Sequence, residues 1–183
     1  MRAEQADIIL PMDNDILLPQ VAATLAKYDL TTEVLACPDE LSDTGVFCQH
    51  YNIPLEEAAN TIVVTSRKVE PALMAVCVVL GSTRLDVNKR VCDLLDVRKA
   101  GFLDLEATAA ETGMRIGGVT AVGIEHLPIF IDAAVMTQDR VVMGGGNRTS
   151  KLHLNPQELL KLPNASVVEN LAKPKDALPA LSE

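Results

Sequence analysis

The chain has 183 residues, 48% of them hydrophobic and 22% charged, which suits one globular domain with a substantial core. Aromatics make up 3% and Trp is absent, so that core must be aliphatic. The net charge of −9 comes from residues 1–57, where eleven acids face two bases, while residues 58–183 hold fourteen of each. The balance excludes the strongly basic face that DNA or long RNA binding needs.

The opening "MRAEQADIILPMDND" lacks a signal-peptide pattern, and no apolar run is long enough to span a membrane, so a cytoplasmic protein is expected. "DILLPQVAATLAKY" carries apolar residues at helical spacing, with Asp15 as N-cap and Pro19 in the first turns. "SDTGVFCQHYNIPLEEAA" predicts a short helix, a break at Pro54 and another helical turn. "TIVVTSRKVEPALMAVCVVLG" predicts two strands around a polar turn at Arg67–Pro71. The second strand is apolar on both faces, as a central strand should be. Helices follow at "LDVNKRVCDLLD" and "DLEATAAETG", each opened by Asp. Short strands are expected at "GGVTAVG", "LPIFIDAAVM", "DRVVMGGG" and "SKLHL", then a helix at "NPQELLKL" with Asn155 as N-cap and Pro156 at its first position. Residues 173–183 are expected to fray. These elements predict one α+β domain over 1–183, a mixed and mostly antiparallel sheet flanked by helices.

Cys37, Cys48, Cys77 and Cys92 form no C-x-x-C pair and are read as buried reduced thiols. His50, His126 and His153 show no ligand spacing, so neither metal nor other cofactor is expected. Cys48 and His50, at i and i+2, would point to different faces of a helix, which argues against a Cys–His pair. The basic residues Arg84, Lys89, Arg90, Arg98 and Lys99 are offset by Asp86, Asp93 and Asp96 and read as a solvated surface. His126, beside Glu125, reads as solvated too.

Seven of the ten glycines fall between residues 113 and 146. Glycine serves where φ is positive or where another group must approach the main chain. Gly117–Gly118 and Gly144–Gly146 therefore suggest a site built from backbone, against the plainer reading of tight turns. The second cluster lacks the GxxxxGK[ST] pattern of a nucleotide P-loop. Asp132, at the end of "PIFID", either accepts backbone N–H bonds or faces a substrate. Lys151 and His153 share one strand face, at a pocket mouth or on an exposed sheet. Asn60 opens an apolar strand, where a capping or turn role is the plain reading.

The succession "TGMRIGGVTAVGIEHLPIFIDAAVM", then "DRVVMGGGNRTSKLHLNPQELLKL", resembles the YbaK/ProX family of aminoacyl-tRNA editing deacylases. The upstream "ANTIVV" and "MAVCVVLGSTRLDVNKRVCDLL" fit it as well, so the resemblance runs from about Thr44 to Ala172. It implies a substrate with an amino acid esterified to the terminal ribose of a mischarged tRNA. Hydrolysis of this activated ester needs a positioned water and a stabilised oxyanion more than a strong nucleophile. Main-chain groups could supply both, with Gly117 and Gly118 admitting the ester and Gly144, Gly145 and Gly146 forming the facing wall. Pocket size would then select a small wrong amino acid over the larger correct one.

Three positions depart from the family pattern, one being Gly144, where the family's v-s-G-G turn has a serine. The family's loop proline falls on Ala121, and its functional lysine falls on Asn60, which can donate hydrogen bonds but carries no charge. Lys151 could restore that charge from another strand. The resemblance implies trans-acting deacylation, or alternatively a lapsed member that binds tRNA, a synthetase or a small ligand. Partners would be the tRNA acceptor end and a synthetase or elongation factor. The acidic N-terminal third is expected to lie away from the cleft.

Overall fold

Residues 16–175 are described by the computed structural model, and the order of their elements follows the alternation of helical and period-two patterns along the chain. The first helix is α1 (Pro19–Lys27), with Pro19 at its first position and Leu18, not a polar residue, at its N-cap. The expected cap Asp15 lies outside the described residues. Strand β1 (Glu33–Ala36) follows, then α2 (Thr44–Tyr51), whose N-cap Asp43 accepts from the Val46 N–H. Next come β2 (Ala59–Ser66), β3 (Met74–Leu80) and β4 (Thr83–Leu85). A π-helical turn at Val87–Val91 runs into α3 (Cys92–Leu95). Then β5 (Ala100–Phe102) leads to α4 (Leu105–Thr112), capped by Asp104 and stopped by Gly113 in the left-handed region. The chain continues through β6 (Ile129–Asp132), β7 (Val141–Gly144), β8 (Ser150–Leu154), β9 (Ala165–Val168) and β10 (Ala172–Pro174).

The strands build a larger sheet in the order β5-β2-β3-β6-β9, a smaller one in the order β1-β8-β7, and a β10-β4 ribbon. In the larger sheet β3 is central; β2–β3 and β2–β5 are antiparallel, while β3–β6 and β6–β9 are parallel. The smaller sheet is wholly antiparallel. The fold is thus α+β with mixed pairing.

Strand alternation sorts the aliphatic side chains into layers. Val76, Val78 and Leu80 of β3, Ile129 and Ile131 of β6, and Val141 and Met143 of β7 meet between the two sheets, with Val21 and Leu25 of α1. On the other face of the larger sheet, Ala75, Cys77 and Val79 pack against Val87, Val91 and Cys92. On the outer face of the smaller sheet, Leu35 and Val142 pack against Phe47 of α2. The four thiols are free and buried; burial pushes Cys77 up to about 12, which suits an inert core residue.

Three expectations need correction. "GGVTAVG" forms no strand but an irregular loop, because its main chain bonds to other loops: Gly146 N–H donates to the Gly118 carbonyl at 2.7 Å. "NPQELLKL" is a 3-10 helix at Pro156–Lys161, capped by Asn155; Pro163 follows, and the residue before a proline avoids the helical region, as Leu162 does at ψ 124. The beginning of the expected frayed tail, Lys173 and Pro174, instead belongs to strand β10, antiparallel to β4.

Candidate active-site cleft

The first half of β2 is where the architecture opens. Pairing with β5 covers only Val64–Ser66, whereas β3 accompanies β2 from Ala59 onward. The edge of β2 at residues 59–62 therefore lacks a continuous strand partner, with one bridge to the smaller sheet at Ala58 and Val142. Val63 C=O accepts from Leu103 N–H on that edge, so the main-chain groups of Thr61, two residues earlier, turn the same way. A cleft of about 470 Å³ lies there.

Three walls enclose it. Asn60, Thr61 and Ile62 of β2 form one, Asp43, Thr44 and Gly45 at the start of α2 another, and Gly117, Val119 and Gly144 the third. Lys175 stands among the lining residues at the end of the described chain. The Asn60 side chain makes no hydrogen bond to protein among the described residues, and it is half-buried in the cleft wall. The plain expectation of a cap at Asn60 does not hold, because the residue lies within β2. The Thr61 hydroxyl is buried with no hydrogen-bond partner among the described residues.

The glycines divide into two groups. Gly117, at φ +92°, and Gly144 border the cleft. Gly118, Gly145 and Gly146 are buried behind it; Gly118 does not border the cleft beside Gly117 as expected, and Gly145 and Gly146 do not join Gly144 in the facing wall. A Cβ on Gly118 would meet the Asn147 carbonyl oxygen at 1.7 Å, one on Gly145 would meet Ser150 Oγ at 2.1 Å, and one on Gly146 would meet Val21 at 2.7 Å. Their lack of a side chain permits close packing of loop on loop and of loop on α1. Gly144 serves both purposes, since its Cβ would also meet the Gly118 oxygen at 2.3 Å.

Asp132 is buried and lies away from the cleft; its carboxylate accepts from Ala134 N–H at 2.9 Å and from Ala172 N–H. It anchors β10 to the larger sheet, and of the two roles open to it the structure shows the backbone-binding one. Lys151 is also fully buried, not at a pocket mouth. Its Nζ donates to the carbonyls of Ser42 at 2.6 Å and Gly117 at 3.2 Å, and lies 3.4 Å from Thr44 Oγ1. It thus ties two walls together from behind. Arg148 does the same at the surface, through Asp39 at 2.7 Å and the Ile116 carbonyl at 3.3 Å. His153, on the same strand face as Lys151, is occupied by Glu33 at 3.1 Å. His126 is exposed and paired with Glu111 at 2.9 Å.

The acidic N-terminal third does not lie away from the cleft. Asp43, Thr44, Gly45 and Leu55 line it, because Lys151 and Phe47 hold α2 against the smaller sheet beside the glycine loops. Among the described residues no group of His, Cys, Asp or Glu could hold a metal ion. No described helix is long and apolar enough to cross a membrane.

Burial lowers the pKa of Lys151 below the ordinary lysine value. Unfolding restores the higher value, so the unfolded chain binds more protons in the window between the depressed pKa and about 10.4. Stability therefore rises with pH through that window. The check is the pH dependence of urea unfolding for the wild type and Lys151→Met. The wild type should gain on the variant as pH rises through the window; a constant difference would mean that the amine is not strained by burial.

The model of the aminoacyl-tRNA editing domain family matches residues 39–162, and the chain belongs to that family. The uncharacterized protein YwhH of Bacillus subtilis (strain 168) is 29% identical over 114 residues, 57% of this chain and 71% of the relative. Among solved structures, the hypothetical protein APE2540 superposes with a TM-score of 0.75 at 19% identity, covering 84% of this chain and 99% of the other. A protein described as a candidate trans-editing enzyme for prolyl tRNA synthetase gives 0.70 at 23% identity, covering 84% and 97%. The two structures establish the shared fold.

Proposed function

We propose that the cleft hydrolyses the ester of a mischarged aminoacyl-tRNA, with this chain acting in trans in the cytoplasm. The observation that carries the reading is the Asn60 amide, which lies in the wall of a cleft also bordered by Gly117 and Gly144 and makes no protein hydrogen bond among the described residues. In this reading the Asn60 Nδ2–H donates to the ester carbonyl oxygen and strengthens that bond as negative charge develops. A water held by main-chain groups along the open edge of β2 adds to the carbonyl carbon. The ester C–O bond then breaks, and the ribose oxygen leaves with the water's proton. No side-chain nucleophile is needed, because the ester is already activated.

Family membership supports interaction with tRNA or a synthetase. The acceptor end is the part that a cleft of this size admits, and the acidic surface gives little long-range attraction to the rest of the tRNA. Docking on a synthetase or elongation factor already holding the tRNA would compensate. The uncharged amide of Asn60, at the position of the family's lysine, favours a second reading in which the cleft binds without turnover. A panel of mischarged tRNAs incubated with purified protein decides between them. Release of at least one amino acid is expected; intact esters across the panel would leave the binding reading.

A further inference from the structure

The charged residues around the cleft are unevenly committed. Lys151 is spent on Ser42 and Gly117 behind the wall, and Arg148 on Asp39. The Asp43 carboxylate caps α2. Among the described residues lining the cleft, Lys175 alone carries a positive side chain. It is exposed, and its Nζ donates to the Gly81 carbonyl at 2.6 Å. An ammonium has three protons to give, and among the described residues no other hydrogen bond takes one from Lys175.

Its position is held from several sides. β10 pairs with β4, the Asp132 carboxylate accepts from Ala172 N–H, and Lys173 pairs with Asp86 at 2.6 Å. Lys175 N–H donates to the Ser82 carbonyl at 3.1 Å. The chain thus returns from the far side of the larger sheet and sets one ammonium at the cleft. This segment lies beyond residues 39–162, the span of the family match, so the cation is a feature of this chain's own C-terminal strand.

We propose that Lys175 binds the phosphodiester preceding the terminal adenosine of the acceptor strand, as a single phosphate contact beside the ester. The inference rests on the proposed function for its choice of anion. One ammonium at a cleft whose described lining carries one carboxylate, that of Asp43, recognises one backbone phosphate and is too little to grip a duplex.

The test is a binding titration of the whole protein with cytidylyl-(3′→5′)-adenosine and with adenosine, at several salt concentrations. The phosphodiester is expected to improve wild-type binding about tenfold over adenosine, the scale of a charge-assisted hydrogen bond. Its salt slope should be about −0.7, the contribution of one neutralised single-strand phosphate. Lys175→Gln keeps a donor for the Gly81 carbonyl but removes the charge; it should erase the tenfold gain and flatten the slope, while Lys175→Arg should keep both. Equal dinucleotide affinity in wild type and Lys175→Gln, or no binding of either probe, would overturn the proposal. Lys175-dependent binding without turnover of any mischarged tRNA would sink the hydrolase reading and leave the phosphate site standing. Turnover with kcat/KM unchanged in Lys175→Gln would do the reverse.

Discussion

Gly118→Ala is expected to destabilise the fold by roughly 3 kcal/mol or more, at the upper end of overpacking costs. The added methyl would sit 1.7 Å from the Asn147 carbonyl oxygen and 2.4 Å from its carbon. These are main-chain atoms, so no rotamer change relieves the clash. The loop would have to retreat, and with it the bond from Gly146 N–H to the Gly118 carbonyl at 2.7 Å. For a chain of this length such a loss corresponds to a melting temperature lower by about 6–12 °C. Gly117→Ala makes the useful contrast. Its methyl meets Arg148 Nη1 and Ser42 Oγ, each at 3.2 Å. Both are ends of movable side chains, so the cost is mainly the positive φ, about 1–2 kcal/mol. Thermal melts of the two variants should therefore rank Gly118→Ala well below Gly117→Ala. Equal melting temperatures would mean that the loops are not packed as described.

The contrast also separates what the sequence disclosed from what it hid. The concentration of glycines between residues 113 and 146 did mark the place where main chain meets main chain. Sequence alone could not say which glycines face a ligand, since close packing and substrate access ask for the same missing side chain. Only three-dimensional neighbours distinguish Gly117 and Gly144 from Gly118, Gly145 and Gly146. A central strand and a helix start were legible because the unbroken apolar run of β3 and the Asp104 cap of α4 are local signals. Strands β1, β5, β9 and β10 were not, being three or four residues long and fixed by partners distant in sequence. Lys151 and Lys175 exchanged expected places for the same reason. Alternation put Lys151 opposite Leu152 and Leu154, but it could not show that α2 covers that face. Lys175 sat in a segment whose proline and charges read as tail, while the signal that orders it is the buried Asp132, forty residues away from Ala172.

Asn60→Ala should lower the rate of deacylation by roughly ten- to a thousandfold, the scale of removing one oxyanion donor, with little effect on folding. The stability half of this expectation follows from the structure: Asn60 has no side-chain partner among the described residues, so truncation orphans no buried group. Alanine is a poorer strand former than many residues, yet Asn60 is already depleted in strands, and β2 remains paired with β3 along its length. The activity half depends on where negative charge appears. If the amide donates to the carbonyl oxygen in the transition state more strongly than in the ground state, kcat should carry most of the loss. If Asn60 only helps to seat the terminal ribose, KM should rise and kcat should stay near the wild-type value. Asn60→Asp sharpens the distinction, since a carboxylate of similar shape accepts where the amide donates and repels a developing oxyanion. It should be at least as damaging to kcat as alanine. Single-turnover hydrolysis of whichever mischarged tRNA the panel identifies, measured for wild type and both variants, is the deciding experiment. A kcat within twofold of wild type in both would remove Asn60 from the reaction and leave catalysis to the main chain alone.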